Sequence, residues 1–122
     1  MSENRESCEM VRLVDLPYRP DIPDQDDDAW RDPYCLLKHD GQKVPGRFLW
    51  GHEHDGYRMI HFILPGGFYG GIPVHREGTP RPDIQSPVWT WDGNEDRPTL
   101  APSIWMHGCW HGFVRAGRME SC

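Results

Sequence analysis

Ser103 and the histidines that follow it are the residues of this sequence best placed to do chemistry. The stretch A-P-S-I-W-M-H-G-C-W-H places His107 four residues and His111 eight residues after the serine. A serine becomes a nucleophile when a base within hydrogen-bond reach takes its proton, and histidine is the usual base. Carboxylates that could orient such a histidine come shortly before: Asp92, Glu95 and Asp96. The pattern therefore raises the hypothesis of acyl transfer at Ser103.

Strand geometry limits which histidine could act as the base. Ser103, Trp105 and His107 alternate onto one face of an extended segment, but four residues at about 3.3 Å each would separate His107 from Ser103 by about 13 Å. We expect His111 to return to the serine only if residues 104–110 form a wide loop instead of a tight hairpin. Without that loop, Ser103 would be an ordinary strand residue.

A rigid frame is predicted around Ser103. Pro98 and Pro102 fix φ and bias the residues before them towards extended geometry. Trp89 and Trp91 fall on one face of a strand, and D-G-N at 92–94 is a turn signal. Stiffness suits a nucleophile, because small misplacements lose large rate factors. It suits the corner of a β-sheet equally well, so both interpretations stay open.

The seven histidines also raise a metal hypothesis. H-E-H contributes His52 and His54, and H-G-C-W-H contributes His107, Cys109 and His111. Within each motif the residues alternate along the chain, and both residue types are common zinc ligands. The four cysteines are widely spread and form no C-x-x-C pair, so we expect free thiols. We expect no metal and no other cofactor. The alternative is a metal-dependent enzyme in which these residues bind zinc.

Composition favours a small all-β domain that would position these residues. Thirteen glycines and twelve prolines among 122 residues disfavour long helices. Six tryptophans supply core volume. We predict a single-domain sandwich or open, curled barrel of seven to nine short antiparallel strands, with almost no helix. Residues 1–33 are predicted to be an acidic, proline-rich arm with one strand, and residues 34–122 the β domain.

Alternation and turn signals predict the individual strands. In chain order they are residues 10–16, 34–38, 47–50, 57–64, 69–74, 88–91 and 103–106, and a hairpin over 112–119. Asp40-Gly41 is expected to turn the chain between the strands 34–38 and 47–50. Ala116-Gly117 is expected to turn the last hairpin.

The charge pattern narrows the class of partner. A formal net charge of −6 without a basic cluster argues against nucleic acid. Five aspartates in D-I-P-D-Q-D-D-D at 21–28 predict a solvated linker that could order on a protein partner. The sequence has neither an apolar leader nor an apolar run of 18 residues, so we expect a soluble cytoplasmic protein that does not bind membranes.

Two stretches carry a family pattern: W-T-W-D-G-N-E-D-R-P-T-L-A-P-S-I and W-H-G-F-V-R-A-G-R-M. They resemble W-x-W-N-G-(S/N)-x-x-x-P-T-F-x-P-S-I and C-H-x-F-V-x-x-G-R-I of small phage and bacterial proteins with an uncharacterised domain, often mislabelled as ammonia monooxygenase. Some of these relatives lie beside bacterial ubiquitin-like conjugation genes. There they look like serine peptidases that trim or remove a ubiquitin-like tail.

The resemblance implies a role for each matching residue. Ser103 would be the nucleophile and His111 the general base. Supporting polar residues would be Thr99, Asn94 and Asp92, and the tryptophans packing the frame would be Trp89, Trp91 and Trp105. The implied substrate is an extended peptide tail, so the implied partner is a protein or peptide.

Departures from the family pattern support an alternative function. Leu64 and Gly67 stand where relatives have the two cysteines of C-P-G-C, and Trp110 replaces the cysteine before the family's histidine. The chain ends in E-S-C where relatives continue into D-C-x-H. The alternative is a non-enzymatic phage or prophage protein, virion-associated or an accessory binding module, with a degenerate site. Its location would then be the host cytoplasm or the virion.

Overall fold

The fold is a nine-stranded sheet curled into a nearly closed barrel, in a computed structural model that describes residues 5–13, 38–39 and 42–122. These residues contain no helix, and hence none long and apolar enough to cross a membrane. The predicted all-β class, the curled barrel and the near absence of helix are confirmed.

Eleven strands occur among the described residues. They are β1 (Cys8–Glu9), β2 (Val11–Arg12), β3 (Lys38–His39), β4 (Gln42–Lys43), β5 (Arg47–Trp50), β6 (Arg58–Leu64), β7 (Phe68–Arg76), β8 (Trp89–Trp91), β9 (Leu100–Met106), β10 (Trp110–Arg115) and β11 (Arg118–Ser121). The barrel has the order β1-β11-β10-β9-β8-β7-β6-β5-β2, and β3 pairs with β4 separately. Neighbouring strands are antiparallel except for the pairs β2–β5 and β7–β8.

The N-terminal segment joins the two edges of the sheet. β1 pairs with β11 at one edge, and β2, only two residues further on, pairs with β5 at the other. Met10 N donates to Gly117 O at 2.9 Å, and Val11 N donates to Gly46 O at 2.8 Å. Joining the edges satisfies backbone groups that an open sheet would leave unpaired.

The core fills the barrel with alternate residues of each strand. It contains Phe48, Trp50, Ile60, Phe62, Leu64, Ile72, Val74, Trp91, Leu100, Ile104, Trp110, Val114 and Met119. Burying one such aliphatic or aromatic side chain contributes about 1.5–3 kcal/mol. Because alternate residues of a strand point to opposite faces, a buried Ile104 leaves Ser103 and Trp105 on the outer face of β9.

Two predicted strands differ from those observed. The predicted strand over 10–16 is replaced, within the described residues, by the two short strands β1 and β2, whose partners are distant in sequence. β5 pairs with β6 instead of residues 34–38, because Phe48 opposite Phe62 and Trp50 opposite Ile60 both face the core. Lys38 and His39 of β3 pair instead with Lys43 and Gln42 of β4.

Other predictions are confirmed or lie outside the described residues. The predicted strands over 57–64 and 69–74 are confirmed as β6 and β7, which pair with each other, and the turn at Ala116-Gly117 is confirmed, where φ is +48° and +76°. The predicted strand residues 14–16 and 34–37, the turn pair 40–41 and the aspartate run at 21–28 lie outside the described part of the chain.

Candidate active site

Ser103 and His111 lie on the outer face of a tight hairpin. Residues 107–109 join β9 to β10, with Met106 opposite Trp110. Cys109 N donates to Met106 O at 2.8 Å, and Gly108 has φ +80°, a left-handed conformation that lacks a steric penalty in glycine. The expectation that His111 could reach Ser103 only across a wide loop was therefore wrong.

His111 reaches Ser103 along the diagonal of the two strands. His111 is directly opposite Trp105, and Ser103 lies two residues before Trp105 on the same face. Diagonal neighbours across an antiparallel pair are about 7–8 Å apart, a gap that an imidazole can span. Ser103 Oγ and His111 Nε2 are 3.2 Å apart. In the tautomer with the proton on Nδ1, Nε2 accepts a hydrogen bond from the serine hydroxyl.

A bulge in β9 sets the direction of Ser103. Gly112 is opposite Ile104 and Val114 is opposite Leu100, so residues 101–103 of β9 face Phe113 alone. The peptide bond between Ala101 and Pro102 is cis. Bulges beside active sites commonly re-aim a side chain. The strand also begins at Leu100 and not at Ser103. The serine therefore lies inside a bulged strand, whereas the predicted strand over 103–106 would begin with it.

The three residues expected to support the site hydrogen-bond to backbone groups near the start of β9. Asp92 Oδ1 accepts from Asn94 N at 3.0 Å and Thr99 N at 3.2 Å. Asn94 Oδ1 accepts from the backbone N–H groups two and three residues further on, at 3.1 and 2.9 Å. Thr99 Oγ1 accepts from Ala116 N at 2.9 Å. These bonds fix the loop over 92–99 and attach it to the turn between β10 and β11.

The remaining carboxylates of this loop bind arginines. Glu95 Oε2 lies 2.9 Å from Arg12 Nη2 and 3.5 Å from Arg58 Nη1. Asp96 Oδ1 lies 2.7 Å from Arg12 Nη1. In residues 5–13, 38–39 and 42–122, no carboxylate hydrogen-bonds to the imidazole of His111. The described site is a serine–histidine pair without an acidic third member.

A comparison with protein families adds to this geometry. A family model described as "Bacterial ubiquitination-like system serine protease (BubE)" matches residues 39–122, a range that includes the Ser103–His111 pair. The chain belongs to this family. The expected likeness to serine peptidases of bacterial ubiquitin-like systems is thus confirmed at the level of the family, while the link to phage proteins stays a prediction. Comparisons with curated proteins and with solved structures give no match.

The three tryptophans that were expected to pack the frame of this BubE family chain divide between two faces of the sheet. Trp91 is buried in the core, and Trp89 packs against it and donates from Nε1 to Ser103 O at 3.2 Å. Trp105 lies on the outer face and is 59% exposed. The prediction that all three pack the frame was therefore wrong for Trp105. Its ring centroid lies 5.9 Å from that of His111 and 5.2 Å from that of His107.

The zinc candidates do not converge within the described part of the BubE family chain. His54 Nε2 lies 2.9 Å from Asp55 Oδ2 in an exposed turn, and the ring of His107 packs at a tilt of 42° beside that of Trp105. No group of three or more His, Cys, Asp and Glu side chains among the described residues is placed to hold a metal ion. Leu64, which stands where relatives have a cysteine, is a core residue.

Proposed function

We propose that this protein is a serine protease that cleaves the extended tail of a ubiquitin-like protein, with Ser103 as nucleophile and His111 as general base. The observation that carries the proposal is the 3.2 Å separation of Ser103 Oγ and His111 Nε2. The family description supports the reaction class and the ubiquitin-like character of the substrate.

The proposed reaction proceeds through an acyl-enzyme. Ser103 Oγ forms a bond to the scissile carbonyl carbon while His111 Nε2 takes the hydroxyl proton. The same imidazole returns this proton to the leaving amine as the C–N bond breaks, which leaves an ester on Ser103. Water then attacks the ester with His111 again acting as base, and Ser103 recovers its proton.

The surroundings of the pair suit a peptide tail better than a small, enclosed substrate. Ser103 and His111 lie on the outer face of the barrel wall, and Ala101 and Pro102 next to the serine are exposed. A site on a convex surface is accessible to a chain segment that projects from a folded partner. An extended segment can lie along the strands with its scissile carbonyl over Ser103.

Cleavage of an extended ubiquitin-like protein tests this function. A ubiquitin-like protein with a short C-terminal extension would be incubated with the full chain, and intact masses would reveal the released peptide. We expect a single cut in the tail, with the rate reduced by about 10³-fold or more in Ser103→Ala.

The matched control is Ser86→Ala. Ser86 is an exposed serine whose Oγ donates to Pro87 O at 3.0 Å, and its loss should leave the rate unchanged. Equal cleavage by wild type and Ser103→Ala would overturn the proposal.

A further inference from the structure

Trp105 has an unusual position for an indole. It is 59% exposed, more than any other large hydrophobic side chain among the described residues. Exposure of so large an apolar surface is unfavourable in the unbound protein, and tryptophan is one of the residue types enriched at binding hot spots. Ser103 and His111, the two residues of the proposed reaction, lie beside Trp105 on this face, so the exposed surface borders the reacting atoms.

The distance along β9 places Trp105 within reach of any bound peptide. Ser103 and Trp105 are two residues apart on one face, which corresponds to about 6.6 Å along a strand. The scissile carbonyl carbon must approach Ser103 Oγ to about 3–3.5 Å before reaction. An extended peptide that runs along β9 towards Trp105 therefore places the residue next to the scissile bond against the indole.

The position of His111 shows on which side of the scissile bond Trp105 lies. Its imidazole must deliver a proton to the leaving amine, so the amine lies on the His111 side of the serine. Trp105 is directly opposite His111 and its ring contacts the imidazole. On the other side of Ser103 lie Ala101 and Pro102, which leaves that side for the acyl part of the substrate.

We propose that Trp105 binds the residue on the leaving-group side of the scissile bond and favours an aliphatic or aromatic side chain there. The inference rests on the proposed function, because it needs an acyl-enzyme at Ser103. Trp105 would then be a specificity-determining residue that contacts substrate.

Partitioning of an acetyl-enzyme between two amines tests the role of Trp105 without the natural substrate. p-Nitrophenyl acetate would acetylate Ser103 in the full chain, and leucinamide or glycinamide would compete with water for the acetyl group. The amine nitrogen forms a bond to the acetyl carbon, the Ser103 ester bond breaks, and His111 passes the proton of the amine to Ser103. By microscopic reversibility the attacking amine occupies the leaving-group position. Ser103→Ala supplies the background rate.

The expected result is that wild type acetylates leucinamide about tenfold faster than glycinamide. Tenfold is the low end of the discrimination that one hydrophobic contact provides between substrates. Trp105→Ala should reduce this ratio to about one, whereas Trp105→Phe should retain most of it. Phe68→Ala, the removal of another exposed aromatic side chain, should leave the ratio unchanged. The rate at which a fluorophosphonate labels Ser103 should be the same in wild type and in Phe68→Ala, and in Trp105→Ala it should change less than the leucinamide rate does.

Three results would overturn the inference. One is a wild-type ratio of leucinamide to glycinamide acetylation rates of about one. Another is a ratio that is the same in Trp105→Ala as in wild type. In both cases the fluorophosphonate must label Ser103 at its normal rate. A third is slower labelling of Ser103 in Trp105→Ala with both amines slowed equally, since Trp105 would then act through His111. If wild-type Ser103 is neither labelled nor acetylated, the proposed function fails, and this inference fails with it.

Discussion

His111 is the residue that acts as the base in the proposed chemistry. Its Nε2 lies 3.2 Å from Ser103 Oγ, within the reach that proton transfer needs. His111→Gln removes the imidazole, so we expect hydrolysis of p-nitrophenyl acetate to slow at least about 10²-fold. The release of p-nitrophenol measures this rate. Equal rates in wild type and His111→Gln would contradict the role of His111.

Cys8 is expected to react more slowly with an alkylating reagent than Cys122 does. Burial raises the pKa of the Cys8 thiol, and the nearby Arg118 guanidinium lowers it to a smaller extent. A raised pKa means less thiolate at neutral pH, and the thiolate is the species that reacts. Iodoacetamide should therefore alkylate Cys8 more slowly than the exposed Cys122, as peptide mass spectrometry can measure. In urea the two rates should converge, and equal rates in the folded protein would refute the expectation.

The loop over 92–99 matters at the scale of elements, because it connects β8 to β9. Asp92→Ala removes the acceptor for Asn94 N and Thr99 N. It should lower the free energy of unfolding by about 1–3 kcal/mol, measured by urea denaturation, with Asp83→Ala as an exposed loop control. Fluorophosphonate labelling of Ser103 should stay within a few-fold of wild type under folding conditions. A large loss of labelling with unchanged stability would instead assign Asp92 a part in the reaction.

Local sequence signals predict part of the site and miss the rest for a physical reason. Alternation places Trp89 and Trp91 on the core face, and the same rule puts Ser103 and Trp105 together on the opposite one. A wide loop would be needed only if His111 had to approach Ser103 along β9 itself, whereas it lies on the neighbouring strand β10. The pairing register, with His111 opposite Trp105 and a bulge at residues 101–103, is a property of two strands. No pattern within one strand encodes it.

Closure of the barrel is the feature of the whole molecule that sequence patterns could not reveal. β1 and β2 are two residues each, too short for periodicity, and their partners are distant in sequence. The matched family region begins at residue 39, yet Cys8, Glu9, Val11 and Arg12 pair with both edges of its sheet. The predicted division into an arm over 1–33 and a domain over 34–122 stays a prediction, since residues 14–37 lie outside the described part.

A single substitution at Gly46 tests this closure. A Cβ at Gly46 would collide with the backbone oxygen of Glu9, whereas a Cβ at Gly78 would meet no described heavy atom within 4 Å. Both glycines have similar positive φ, +92° and +87°, so alanine costs about 1–2 kcal/mol of backbone strain at either position. Gly46→Ala should lose at least about 2 kcal/mol more than Gly78→Ala, because it displaces packed backbone. Equal urea midpoints for the two variants would argue against closure by the N-terminal segment.

Labelling by a fluorophosphonate tests the Ser103–His111 pair most directly, since it needs an activated serine and no knowledge of the substrate. Intact mass and peptide mapping of the full chain should show one phosphonyl group on Ser103 in wild type and none in Ser103→Ala. His111→Ala should slow the labelling at least about 10²-fold. Equal labelling of wild type and Ser103→Ala, or no labelling of either, would contradict the pair as catalytic and favour a non-enzymatic binding module.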